Sequence, residues 1–190
     1  GLWTIVGTEA PLAELLGSLD NLAAGQELSI VGPAGSGGRT LLAALAWRLA
    51  MAGWPVAWLQ GPFCNEHLPI ELATALGRTE GDPATFAEHG GVLVIDDGDG
   101  AQDAIADLCA RGARVVARRF AETSGWTVPP LRGTEARSLV RRALPSLPDS
   151  VVERVVERGE GRPGRLRAIV EAIADRAIVR AESVDVVVSH

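Results

Sequence analysis

The sequence has no lysine and no tyrosine, so every one of its 18 Lys+Arg positions is an arginine. This excludes Schiff-base, acyl-lysine and all other lysine chemistry within the chain. Cysteine is equally scarce. Cys64 and Cys109 lie far apart without CxxC spacing, which signals neither a metal site nor a disulfide framework. The reducing cytoplasm is the natural compartment for such a chain. No apolar run reaches the roughly 18 residues of a membrane helix, and no basic stretch precedes a signal-type core at the N-terminus. A membrane partner is therefore not expected. His67, His89 and His190 lack zinc spacing, and neither GxSxG nor a Cys/His arrangement occurs. Acids outnumber bases 24 to 18, for a net charge of -6, which argues against broad, non-specific binding of nucleic acid as a partner and leaves open only a local basic face.

What is present is a 190-residue chain, 47% hydrophobic, enough for one domain or for a core with a small appendage. Its Ala, Gly, Val and Arg content has the look of a GC-rich genome. The five tryptophans are expected in the core, Trp47 on an apolar helix stripe and Trp58 on a buried strand.

Apolar spacing predicts a helix over 8–22, a strand over 27–31, a glycine-rich run over 32–38 and a helix over 40–52. A second strand follows at 56–59 and a helix at 69–76, ended by Gly77. The run Gly91-Val-Leu-Val-Ile-Asp-Asp97 reads as a strand buried on both faces, as in a parallel sheet. A helix over 101–110 and a strand over 113–117 complete an alternating α/β pattern. After Pro129-Pro130 only helices are expected: 134–144, one with capping-box spacing at Ser150 and Glu153 closed by Gly159, and a long one from about Pro163. The predicted architecture is an α/β core over 1–128 and a helical lid over 129–190.

The chemistry concentrates where strand 27–31 turns through Gly32-Pro-Ala-Gly-Ser-Gly-Gly-Arg-Thr40 into a helix. Glycines let successive backbone N–H groups face an anion, and a helix N-terminus adds its positive end. This run resembles the phosphate loop of P-loop NTPases of the AAA+/STAND type, which reads GPxGxGK[ST]. Gly32, Pro33, Gly35, Ser36 and Gly37 align with it. Gly38 then occupies the position of the lysine that holds the β- and γ-phosphates, and Arg39 that of the Mg²⁺-binding Ser/Thr. A shifted register instead places Arg39 on phosphate and Thr40 on Mg²⁺, but it lengthens the loop, and a guanidinium does not replace a compact ammonium.

Further segments carry the resemblance. The acidic end of the apolar run, Asp96-Asp97, is similar to a Walker B motif, which implies Mg²⁺ on Asp96 and a water-orienting role for Asp97. Trp3-Thr-Ile-Val-Gly7 is similar to the adenine-binding "hVGR" segment, with Val6 against the base; packing of Trp3 and Ile5 on the core explains it equally well. Pro129-Pro-Leu131 and Gly161-Arg-Pro-Gly-Arg165 are similar to the lid pattern, which places a phosphate-sensing arginine near Gly164 and Arg165. Arg118 and Arg119 follow a strand where a sensor residue would stand, but a solvated pair is the favoured reading.

The resemblance implies a P-loop NTPase-like parallel sheet flanked by helices, with a C-terminal helical lid. With no lysine in the loop or elsewhere, the leading expectation is a signalling or scaffolding module that hydrolyses little or no NTP and binds a partner protein or other domains of a longer chain. The alternative is an ATP-driven switch that uses Arg39, Thr40, Asp96 and Asp97. Binding of ATP or ADP through the amides of residues 35–38, without hydrolysis, lies between them. Oligomerisation fits the family, whereas DNA remodelling by a ring is disfavoured by the acidic charge.

Overall fold

A computed structural model of the chain describes residues 8–80 and 82–188, the backbone alone for 78–80 and 177–188. Two compact units result. One comprises Glu9–Pro33 and Gly38–Val128; the other joins Ala34–Gly37 to the helices that follow Pro129. The segment with Trp3, Ile5 and Val6 lies outside the described residues.

The first unit contains α1 (Glu9–Asp20), β1 (Glu27–Val31), α2 (Gly38–Met51), β2 (Val56–Gln60), α3 (Leu68–Glu80), α4 (Pro83–Glu88), β3 (Val92–Asp96), α5 (Gln102–Ala110), β4 (Arg114–Arg119) and β5 (Trp126–Thr127). The strands form a single parallel sheet in the order β2-β3-β4-β1-β5. Period-two alternation sorts its side chains. Leu93, Ile95, Val115 and Ala117 face one apolar layer with Leu68 and Leu72 of α3, Phe86 of α4 and Ile105 of α5. Val92, Val94 and Val116 face the opposite layer, with Leu15 and Leu19 of α1 and Leu42 and Leu45 of α2. All five residues of β3 are buried, as expected of a strand covered on both sides.

Several local features differ from the sequence expectations. The short helix α4 was not foreseen, although the Asp82 carboxylate accepts from the N–H groups of Ala84 (3.1 Å) and Thr85 (3.3 Å), with Pro83 opening the helix. These bonds, led by the Thr85 hydroxyl, hold the Asp82 carboxyl below its ordinary pKa. Strand β5 was also missed. Gly125 permits it, because a Cβ there would lie 2.6 Å from the Ser29 carbonyl oxygen. Trp47 is 64% exposed, since α2 buries the Leu41–Leu42–Leu45–Leu49 stripe and turns Trp47 away from it. Helix α3 is interrupted at Gly77 (φ 73°), where the sequence reading ends it.

The second unit contains α6 (Gly133–Ala143), α7 (Asp149–Gly159) and α8 (Pro163–Val188), packed around Ala136, Val140, Val152, Val155, Leu166 and Val170. Ser150 does not cap α7. The helix starts one residue earlier, and the Pro148 carbonyl accepts from Val151 and Val152 at 2.9 and 3.0 Å. Nor does Gly159 supply the left-handed terminus, which falls on Glu160 (φ 51°). Gly159 is the last helical residue and is buried, and a Cβ there would lie 2.2 Å from Leu166 Cδ2. Leu166 is itself fully buried, so it has nowhere to move. Gly159→Ala is expected to cost about 1–3 kcal/mol of stability through overpacking. Urea denaturation followed by circular dichroism would measure it, and an unchanged midpoint would contradict this packing.

Candidate functional site

The alternation that builds the sheet also aims its polar ends. Asp96 ends β3 on the face of Val92 and Val94, towards α2. Arg118 continues the face of Val116, and Arg119 the opposite face of Val115 and Ala117. The two arginines therefore leave β4 on opposite sides, and the favoured reading of a solvated pair is wrong.

Arg118 and Arg39 converge on Asp96. Arg39 Nε donates to Oδ2 at 2.5 Å and Arg118 Nη1 to Oδ1 at 2.8 Å. The Asp96 side chain is only 2% exposed and that of Arg118 13%, whereas that of Arg39, in the first turn of α2, is 65% exposed. The Arg118 guanidinium also stacks over Phe120, 4.1 Å from its centroid. Burial lowers the Arg118 pKa, opposed by the attraction of Asp96; Arg39 lowers it further and Asp97 raises it. The Arg118 stem also fills the space beside Gly38, where a Cβ would lie 2.9 Å from Arg118 Cδ.

Arg119 is 3% exposed and holds Glu27 in a bidentate pair, Nε to Oε1 at 2.8 Å and Nη2 to Oε2 at 2.9 Å, while Nη1 donates to the Gly98 carbonyl. Asp99 adds a tie between the ends of β3 and β4, its Oδ2 accepting from the N–H groups of Phe120 (2.9 Å) and Ala121 (3.0 Å). Asp97 sits in the left-handed region (φ 79°), which an aspartate tolerates better than most side chains.

Of the other residues singled out in the sequence, Gly38 and Thr40 lie with Arg39 in the first turn of α2, and Gly32 follows β1. Ser36 is buried. Within the second unit, the Gly35 carbonyl accepts from Gly164 N–H at 2.9 Å, and a Cβ on Gly37 would lie 3.3 Å from Pro163. Gly35 and Gly37 both have positive φ, 79° and 91°. Arg165 Nη1 lies 2.7 Å from Glu160 Oε2, in an exposed pair.

The fold resemblance implies Mg²⁺ on Asp96 and Thr40. Here each Asp96 oxygen accepts from one guanidinium group, so a cation at this carboxylate would compete with two arginine charges. Among the described residues no group of three or more His, Cys, Asp and Glu side chains could hold a metal ion without a ligand's help, whereas Mg²⁺ carried by a nucleotide needs only one or two carboxylates. A thiol nucleophile finds no support either, because burial, and secondarily Glu27, pushes the Cys109 thiol up to about 11.

The asymmetry in exposure sets the energetics. Asp96→Asn leaves the Arg118 cation facing a neutral amide and is expected to cost about 3–5 kcal/mol. Arg39→Ala, which removes the exposed partner and leaves Asp96 paired with Arg118, is expected to cost at most about 1 kcal/mol. Adding Arg118→Met to Asp96→Asn should recover part of the loss, with a coupling of about 1–3 kcal/mol in a double-mutant cycle by urea denaturation. Strict additivity would contradict the pair.

No family model matches the chain, and no curated protein matches it in sequence. Solved structures do. One is the Signal Transduction ATPase with Numerous Domains (STAND) protein with a tetratricopeptide repeat sensor from Pyrococcus horikoshii (TM-score 0.53, 19% identity), matched over 84% of this chain and 29% of that one. Another is domain III of the Thermotoga maritima replication initiation protein DnaA (0.54, 17% identity), over 93% of this chain and 85% of that one. AMPPCP-bound DnaA from Aquifex aeolicus aligns at 0.50 and 16% identity, over 90% and 63%. The chain thus spans less than a third of the STAND protein. At these identities the likeness is one of fold: a P-loop NTPase-like α/β sheet flanked by helices and followed by C-terminal helices.

Proposed function

We propose that the protein is a STAND/AAA+-like signalling or scaffolding module that acts through protein–protein interaction and hydrolyses little or no NTP. The supporting observation is the pairing of Asp96 with both Arg39 and Arg118, beside a glycine at position 38. Phosphoryl transfer is catalysed almost entirely by positioning and by charge placed around the phosphates. In this reading the loop lysine is lost, and the carboxylate that would hold Mg²⁺ serves as counter-ion to two arginines. Residues 1–128 act as the core and residues 129–190 as the lid. Partners are a separate protein or further domains of a longer chain, and the net charge of -6 disfavours nucleic acid.

ATP or ADP remains a candidate ligand, because DnaA structures carry an ATP analogue and the exposed Arg39 can exchange Asp96 for a phosphate. Such binding needs no magnesium. Gly32, Gly35, Ser36, Gly37 and Gly38 would supply backbone contacts, Val6 the adenine contact and Arg165 a phosphate contact. The switch alternative, with Thr40 and Asp96 on Mg²⁺ and Asp97 orienting water, requires Asp96 to give up at least its contact with Arg39.

Titration calorimetry with ATP and ADP, in Mg²⁺ and in EDTA, separates the two. The module reading expects no gain in affinity from Mg²⁺ and turnover at background. Tight Mg²⁺-dependent binding, with a turnover that Asp97→Asn abolishes, would establish the switch instead. A lysine at position 38 needs the space that Arg118 fills. The triple variant Gly38→Lys/Arg39→Thr/Arg118→Asn should therefore bind Mg-ATP at least about tenfold (about 1.4 kcal/mol) more tightly than the double Gly38→Lys/Arg39→Thr. Equal affinities would contradict that placement.

A further inference from the structure

The C-terminal helices carry a groove of about 300 Å³ between α7 and α8. Its apolar lining comes from Val151 and Val155 of α7 and from Ile169 and Ile173 of α8. Each pair is four residues apart, so each helix turns one continuous stripe into the groove. Val155 forms the buried floor, while Val151, Ile169 and Ile173 are only partly covered by the core of Val152, Leu166 and Val170. Three helices thus leave open a seam of the kind that a fourth would fill in a bundle.

The rim is of one sign. Arg154 and Arg158 extend the α7 stripe, and Arg176 the α8 stripe. All three are exposed, and among the described residues none forms an ion pair, although the chain is acidic as a whole. Arg154 Nε reaches only the Ser150 carbonyl of its own helix, at 3.3 Å. Of the carboxylates nearby in sequence, Glu153 pairs with Arg137 and Glu171 with Arg167, while Glu157 and Asp175 form no ion pair with the rim arginines among the described residues.

We propose that this groove is a docking site for an acidic amphipathic helix of a partner protein. Apolar residues of that helix at i, i+3 or i+4, and i+7 enter between α7 and α8, and its flanking Asp or Glu side chains meet Arg154, Arg158 and Arg176. The stripe from Val151 to Arg158 is about 10 Å long, which matches two turns of a partner helix. A concave apolar seam suits a helix better than a lipid surface, which takes a protruding apolar face. The inference rests on the scaffolding reading in taking the C-terminal helices as the partner-binding part. Its test uses no nucleotide, so failure here leaves the calorimetric result standing.

The probe is a fluorescein-labelled, helix-stabilised 16-residue peptide with Leu at the i, i+4 and i+7 positions and Glu on both flanks. A Lys-flanked version and a scrambled Glu version serve as controls. Fluorescence anisotropy with the full chain should show binding of the Glu peptide alone, weakening as salt rises. Arg154→Glu/Arg158→Glu/Arg176→Glu should weaken it by about tenfold or more. Ala172→Trp, an exposed lining position, should also weaken it by plugging the seam without touching a charge. Circular dichroism melts of both variants establish that they are folded. The proposal is overturned if the Glu peptide binds no better than its scrambled or Lys-flanked forms, or if both folded variants keep the parent affinity. It is equally overturned if phosphatidylserine vesicles displace the peptide and themselves bind the Ala172→Trp variant undiminished.

Discussion

A buried carboxylate at the end of the most enclosed strand has to be neutralised, and Asp96 meets that requirement with two arginines of unequal character. Removing an unpaired charge from water costs several kcal/mol, so the 2% exposed Asp96 is tenable only with cations at hand. Arg118 arrives along the neighbouring strand, is itself mostly buried and stacks on Phe120, which makes it a fixed partner. Arg39 stands at the start of α2, largely in water, and is a replaceable one. The strand ends, the first turn of α2 and the space beside Gly38 are all arranged around this pairing.

The same sheet edge carries a second set of ties that serves architecture. Arg119 joins Glu27 to the Gly98 carbonyl, and Asp99 joins the turn after β3 to the residues after β4. Two adjacent arginines thus divide the work according to the face of β4 from which they leave. One reaches the candidate site and the other reaches the frame beneath it.

Much of the fold was legible because its signals are local and repetitive. The apolar run over 91–97, the Leu stripe of α2 and the glycine interruption at Gly77 each declare their element within a few residues. What escaped depends on partners distant in the chain. β5 is two residues long and exists through its pairing with Ile30 and Val31. Gly159 reads as a helix stop in sequence, but its smallness serves Leu166. Trp47 reads as core on a helix drawn alone and is exposed once the sheet selects the buried face. In the candidate site the glycine run over 32–38 and the acidic end of β3 at Asp96 stand out in the sequence. The role of Arg118 does not, although strict alternation from Val115 to Arg119 already separates the two arginines. That reading needs the register of β4 against β3, which sets Val94 opposite Val116 and Ile95 opposite Ala117.

The all-arginine composition has a consequence for how the pairing at Asp96 can be undone. A lysine in either place would be open to acylation and could lose its proton at moderately high pH. A guanidinium resists both, binds a carboxylate through a planar fork and holds its charge throughout the range in which proteins stay folded. The contact is thereby insulated from amine-modifying enzymes and from ordinary swings in alkalinity. What can compete with Asp96 for the exposed Arg39 is another oxyanion, because a guanidinium offers the same N–H donors to carboxylate and phosphate alike.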